Sequence, residues 1–275
     1  MELEPFYRQE ETHYLIRKDI FSERITAGIT SRCGGVSTAP FDSLNTAFHV
    51  GDSRDNVLKN RQRAAGKLGF SMKDWVAAEQ VHKAGIVKID ESYRSYGAFN
   101  REQNAGEYDG MYTRSKGILL ASFYADCVPL LFYAPAQECA GVAHAGWKGT
   151  YLDIGGRFVR QWQQNERINP EEIFVVIGPA ISGAVYEVDR EVINKMELIL
   201  PKGAPAPWQS SRPEHWYFDV KEMNRLLLEN AGIPSANIFK SSHCTYTEAE
   251  NFFSHRRDHG QSGRMMAFIG LHQEK

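Results

Sequence analysis

Apolar runs of strand length occupy the middle of the chain, and each breaks off at a reactive side chain. Ile118 to Tyr124 is followed by Ala125, Asp126 and Cys127 before Val128 to Tyr133 resumes the pattern. After a turn, Cys139 to Ala143 ends at His144, which opens the glycine-bearing turn Ala-Gly-Trp-Lys-Gly-Thr. Strand ends beside turns are where rigid scaffolds commonly hold functional groups.

The flanking pattern predicts further elements. Strands are expected at His13 to Arg17, Arg24 to Thr30, Trp75 to Gln80, Ile86 to Ile89 and Met111 to Thr113, the last after an Asp109-Gly110 turn signal. Val57, Arg61, Ala64 and Leu68 recur at helical spacing from Asp55, and Gly69 is a natural stop. Residues Ser92 to Tyr108 are polar and glycine-containing, so a long surface loop or lid is expected there. A strand at 139–144, a helix over 151–165 capped by Thr150 and a strand at 173–177 read as a βαβ unit with parallel pairing. Asp189 opens a further helix, and 201–214 reads as a surface excursion. Asp219-x-x-Glu222 resembles a capping box, Ile238 to Ser242 is a strand, and Met265 to Leu271 closes the chain. The fold class is α/β, with residues 1–275 as one domain.

Composition adds mostly exclusions. With 275 residues, 42% hydrophobic and 24% charged, the chain is ordinary globular material, and its net charge of −2 argues against nucleic acid or a membrane surface as partner. No signal pattern and no membrane-length apolar run is present, so the expected location is cytoplasmic. The four cysteines, Cys33, Cys127, Cys139 and Cys244, form no C-x-x-C pair and are expected to be reduced thiols.

Cys127, His144 and His82 all stand at strand-to-loop transitions. Together they could hold a borderline metal such as zinc with one position open. A thiol nucleophile with His144 or His82 as base and Asp126 or a backbone carbonyl as orienter needs the same neighbours. A small buried cysteine with two hydrogen-bonded histidines would show the same spacing, so spacing alone leaves all three open. The Arg-Cys-Gly-Gly-Val-Ser loop at 32–37 could present amides to an anion, or be a plain turn. Arg256-Arg257-Asp258 is an anion clamp or a solvated charge run, and Lys148 leans toward function by its place in the Gly-Trp-Lys-Gly turn. The P-C-x-x-C half of the zinc nucleobase deaminase signature is missing. No H-x-H pair occurs, which weighs against a multicopper arrangement.

In combination, these motifs resemble the YlmD/YfiH family. They include Ala-Asp-Cys-Val-Pro-Leu-Leu at 125–131, His-Ala-Gly-Trp-Lys-Gly-Thr at 144–150, Ile-Gly-Pro-Ala-Ile at 177–181, Gln80-Val81-His82 and Ser254-His255-Arg256-Arg257-Asp258 with Gly263-Arg264. The family was long labelled laccase-like polyphenol oxidase and is now described as purine nucleoside enzymes; the order and loops look closest to the bacterial YlmD branch. The resemblance implies a layered α/β sandwich with mixed sheets and a metal, zinc with copper possible, on His82, Cys127 and His144. It implies phosphorolysis of adenosine, inosine and S-methyl-5′-thioadenosine, and deamination of adenosine. Expected partners are purine nucleosides and phosphate, in a monomer or homodimer. For that chemistry, Asp126, Arg61 and Asn45 join Cys127 as candidate catalytic groups, and Arg32, Lys148 and Arg256 as candidate substrate-binding groups. His255 departs from the tyrosine found in many relatives. The rivals are a metal-free Cys-His hydrolase, a non-enzymatic nucleotide sensor, and polyphenol oxidation as a copper-dependent side activity.

Overall fold

A computed structural model describes residues 3–273. The chain opens with β1 (Phe6–Glu10), β2 (His13–Ile16) and β3 (Ile25–Thr30), then α1 (Arg54–Leu68), closed by Gly69 at φ 74°. β4 (Trp75–Val76), β5 (Ile86–Ile89), β6 (Gly110–Thr113), β7 (Leu119–Tyr124), β8 (Val128–Ala134) and β9 (Cys139–Ala145) follow. Next come α2 (Trp147–Tyr151), α3 (Ile154–Glu166), β10 (Phe174–Ile177), β11 (Glu187–Asp189) and α4 (Arg190–Ile199). β12 (Trp208–Arg212), β13 (His215–Phe218), α5 (Val220–Asn230), β14 (Ile238–Lys240) and β15 (Met265–Leu271) complete the order.

Two six-stranded mixed sheets, β1-β2-β3-β15-β7-β4 and β14-β10-β8-β9-β6-β5, lie face to face. Alternation along each strand divides its side chains between layers. In β15, Met265, Ala267 and Ile269 enter the space between the sheets, while Met266 and Phe268 pack with Ala64, Ala65 and Leu68 of α1. In β8, Leu131 and Tyr133 face the same inter-sheet core, while Leu130 and Phe132 meet Phe158 and Trp162 of α3. Each sheet is therefore covered on both sides, which explains why β7, β8, β9 and β15 read as unbroken apolar runs. Phe132 and Phe158 stack at 4.2 Å. A Cβ on Gly141 would lie 2.4 Å from the Phe158 ring, so only glycine fits there.

Several expectations need correction. The alternation from Trp75 yields a strand of two residues, followed only by an isolated bridge at Glu79. β9 and β10 run the same way but do not pair; β8 lies between them, antiparallel to both, and the parallel partner of β10 is β14. Thr150 is not a helix cap but lies inside α2; Asp153 caps α3, its carboxylate accepting from the Gly156 amide. The excursion at 201–214 contains β12, which joins β13 and β11 in a third small sheet. Only half of the Asp219/Glu222 box forms, because the Glu222 carboxylate pairs with Arg225 and Lys240. β1 had no clear sequence signal. Among the described residues no helix is long and apolar enough to cross a membrane.

Two connections carry reactive side chains from one large sheet to the other. β4 belongs to the first and β5 to the second, so the segment with His82 crosses between them. β7 and β8 are divided in the same way, so Ala125-Asp126-Cys127 crosses too.

Candidate metal centre

His82, Cys127 and His144 meet where these crossings reach the end of β9. One donor atom from each lies within 4.8 Å of the others, and among the described residues no other three-donor group occurs. Asp109, which precedes β6, holds the arrangement. Its Oδ1 accepts from His144 Nδ1 at 2.9 Å and from the His82 amide at 3.0 Å, and its Oδ2 accepts from the Lys83 amide at 2.7 Å. With Nδ1 committed, His144 presents Nε2 to the centre, the tautomer that a metal-ligating imidazole needs. The amide contacts fix His82 in its left-handed conformation, φ 56°. Tyr124, packed 5.4 Å from the His144 ring, directs its hydroxyl to Ser122 and the Ala143 carbonyl. Gly146 closes the other side: a Cβ there would lie 2.9 Å from Cys127 Sγ.

The electrostatics favour a thiolate. Burial pushes the Cys127 thiol up, but the charges and hydrogen bonds of His144 and His82 outweigh it and bring it down to about 6. Burial pushes His144 down, and the facing Cys127 and Asp109 more than reverse this. A thiolate flanked by two imidazoles, one oriented by a buried carboxylate, is a donor set that fits a borderline metal ion such as zinc or copper.

The group lies on the wall of a cavity of about 580 Å³. Phe48, Phe123, Trp147 and Tyr186 give it aromatic surface; Arg61, Arg101, Arg256 and Arg264 give it charge. Arg61 is buried, donating to the carbonyls of Thr46, Gly97 and Ala98 and packing over the rings of Phe48 and Phe123. The loop from Ser92 to Tyr108 is exposed at Arg101 to Gln103 and also contributes Gly97, Asn100, Arg101 and Asn104 to the cavity wall. Asp126, at φ 80°, also lines the cavity, but both its oxygens are engaged, by Thr245 Oγ1 at 2.7 Å and by the Arg256 amide at 2.7 Å. Arg256 donates to the Glu187 carbonyl and lies over Tyr186.

Three expected residues do not line this cavity. The Arg32 guanidinium is held by the carbonyls of Asp42 and Ala249, beside Cys33 and away from the centre. Lys148 is exposed on α2, over the Trp147 ring. Asn45 is fully buried and bonds to Ala47, Asp52 and the Arg264 amide. The glycine loop offers no free amides for an anion at Gly35, Val36 or Ser37, which donate to Ser43 and Asn60. Sequence reasoning missed Asp109, read only as a turn residue, and gave Arg264 and His49 no role. Asp109 becomes visible only once β6 pairs with β9.

The family model described as "Multi-copper polyphenol oxidoreductase laccase" matches residues 26–272. "Purine nucleoside phosphorylase YlmD" of Geobacillus stearothermophilus is 47% identical over 248 residues, 90% of each chain. The protein of the same name from Bacillus subtilis is 43% identical, over 91% of this chain and 90% of that one. The crystal structure of YlmD from Geobacillus stearothermophilus superposes with a TM-score of 0.97 at 43% identity, covering 98% of this chain and 100% of that one. That of Bacillus licheniformis YfiH gives 0.94 at 42% identity, covering 97% and 99%. The chain belongs to the family that contains YlmD and YfiH.

Proposed function

We propose that the protein is a zinc-dependent purine nucleoside enzyme. It splits adenosine, inosine and S-methyl-5′-thioadenosine with phosphate, giving the free base and the (methylthio)ribose 1-phosphate, and it deaminates adenosine. The observation that carries this reading is the convergence of Cys127, His82 and His144 on a cavity rich in arginine and aromatic side chains. The names of the relatives support phosphorolysis; the donor set supports zinc. Zinc held there supplies Lewis acidity and a water of lowered pKa. The chain's own residues do the rest. Asp109 keeps the His144 proton on Nδ1, Phe48, Phe123 and Tyr186 offer flat surfaces to a purine ring, and the arginines attract the anionic co-substrate. Copper can occupy the same donors, so polyphenol oxidation fits as a copper-loaded side activity.

The test pairs elemental analysis of untreated protein with incubation in adenosine and phosphate, following adenine, inosine, hypoxanthine and ribose 1-phosphate. No turnover by zinc-containing protein sinks the reading.

One observation favours a second reading. Asp109, His144 and Cys127 stand as orienter, base and thiol, as a metal-free hydrolase would need. Rapid inactivation by iodoacetamide that zinc does not slow supports the hydrolase; protection by zinc supports the metal centre.

A further inference from the structure

The cavity lining carries four arginines against two carboxylates, Glu79 and Asp126. Glu79 is taken by Arg101 in a two-pronged pair. Asp126 is spent on Thr245 and the Arg256 amide. Arg61, Arg256 and Arg264 therefore have no carboxylate ion-pair partner among the described residues.

The three are not equivalent. The Arg61 guanidinium gives Nε and Nη1 to carbonyls, which leaves no free edge of two nitrogens, and it packs against the Phe48 and Phe123 rings. Arg256 spends only Nη1, on the Glu187 carbonyl, but it is exposed and its guanidinium lies over the Tyr186 ring, whereas Arg264 is half-buried. Arg264 spends a single terminal nitrogen, Nη1, on the carbonyls of Ser262 and Gly263 at 2.6 and 2.9 Å. Its Nε and Nη2 have no partner among the described residues. These two form one edge of the guanidinium, the fork that matches two oxygens of a tetrahedral oxyanion. The backbone beneath it is rigid: Asn45 Oδ1 accepts its amide, Thr46 donates twice to its carbonyl, and β15 begins at the next residue. The Arg264 guanidinium lies within electrostatic reach of Cys127 and Asp126, and its charge is among those that lower the His49 and His255 imidazoles, after burial. Both imidazoles open on the same cavity, without a hydrogen-bond partner of their own among the described residues.

We infer that Arg264, which shares the cavity wall with His49, His255 and the metal donors, is the seat of inorganic phosphate, bound side-on through Nε and Nη2. This rests on the phosphorolytic reading of the site. Hydrogen phosphate held there adds an oxygen to C1′ of the nucleoside as the C1′–N9 bond breaks. The bond's electron pair leaves with the purine, which takes up the proton that hydrogen phosphate gave up. Asn45 then acts as a positioning residue, through the Arg264 amide it accepts.

The experiment uses the purified, metal-containing protein, with metal content measured on every variant. Arg264→Ala is expected to raise KM for phosphate about 10- to 100-fold, with KM for inosine within about threefold. Without nucleoside, the 31P line of inorganic phosphate is expected to broaden with wild-type protein and to stay sharp with the variant. Arg264→Lys, which keeps the charge and loses the fork, is expected to fall between the two, and it decides the matter if Arg264→Ala misfolds or loses metal. An unchanged KM for phosphate in a metal-replete variant overturns the assignment while leaving phosphorolysis standing. If the wild type releases no ribose 1-phosphate, phosphorolysis fails. The 31P line then still decides the anion seat: broadening lost with Arg264 supports it, and no broadening overturns it.

Discussion

Asp109 Oδ1 lies 2.9 Å from His144 Nδ1 and accepts, through the same oxygen, the amide of His82. One buried carboxylate thus orients one imidazole and fixes the backbone that carries the other. Asp109→Asn keeps the shape but puts a donor or a neutral acceptor where a charged acceptor stood. Metal affinity is expected to fall about 10- to 100-fold, as for other outer partners of metal-bound histidines. Competition against a chromophoric chelator measures it, and an affinity equal to wild type would show that the carboxylate is only structural.

Gly146 gives an independent check on the centre. A methyl there would lie 2.9 Å from the Cys127 sulfur, so Gly146→Ala must displace the thiolate or the turn. Nucleoside turnover and bound metal should drop together while the melting temperature of the metal-free protein moves little. Full metal occupancy in this variant would show that the turn gives way and the thiolate keeps its place.

Gly141→Ala probes the scaffold alone. Its methyl would overlap the Phe158 ring, itself stacked on Phe132. Overpacking of this kind costs about 1–3 kcal/mol. The urea midpoint should fall, and the ratio of KM for phosphate to KM for nucleoside should stay as in wild type.

His13 sets a pH limit. It is buried in β2, and burial holds its imidazole below the ordinary histidine range, against a smaller opposing pull from Glu10. The unfolded chain therefore binds a proton more readily than the folded one once pH drops below about 6.5, so stability is lost on the acid side. Urea midpoints at pH 7 and pH 5 should differ less in His13→Phe than in wild type. Equal losses in the two proteins would assign the acid sensitivity to other groups.

The strands buried on both faces are the most legible part of the sequence. Met265 to Leu271 can be bounded because its apolar run has no rival interpretation, and Cys139 to His144 for the same reason. Trp208 to Arg212 escapes notice because it is a half-exposed strand among prolines and serines, whose partner β13 supplies the order. Cys127 and His144 stand out through their positions at strand ends, whereas the strand end expected before His82 does not form, since β4 stops at Val76 and β5 begins at Ile86. The arginines are harder: Arg32 and Arg264 both sit in glycine-bearing loops, and nothing local tells which guanidinium turns inward. That depends on Asn45 and Thr46, more than two hundred residues upstream of Arg264. Asp109 is illegible for a related reason, since its partner at position 144 is a neighbour only across the paired strands.

Two of the three donors ride on segments that pass from one large sheet to the other, and the third ends a strand of the second sheet. An ion gripped by all three is therefore a rivet through the seam of the sandwich. Prying the sheets apart at that end and pulling the donors off the ion are the same motion, so loading the metal should also clamp the two halves of the interior together.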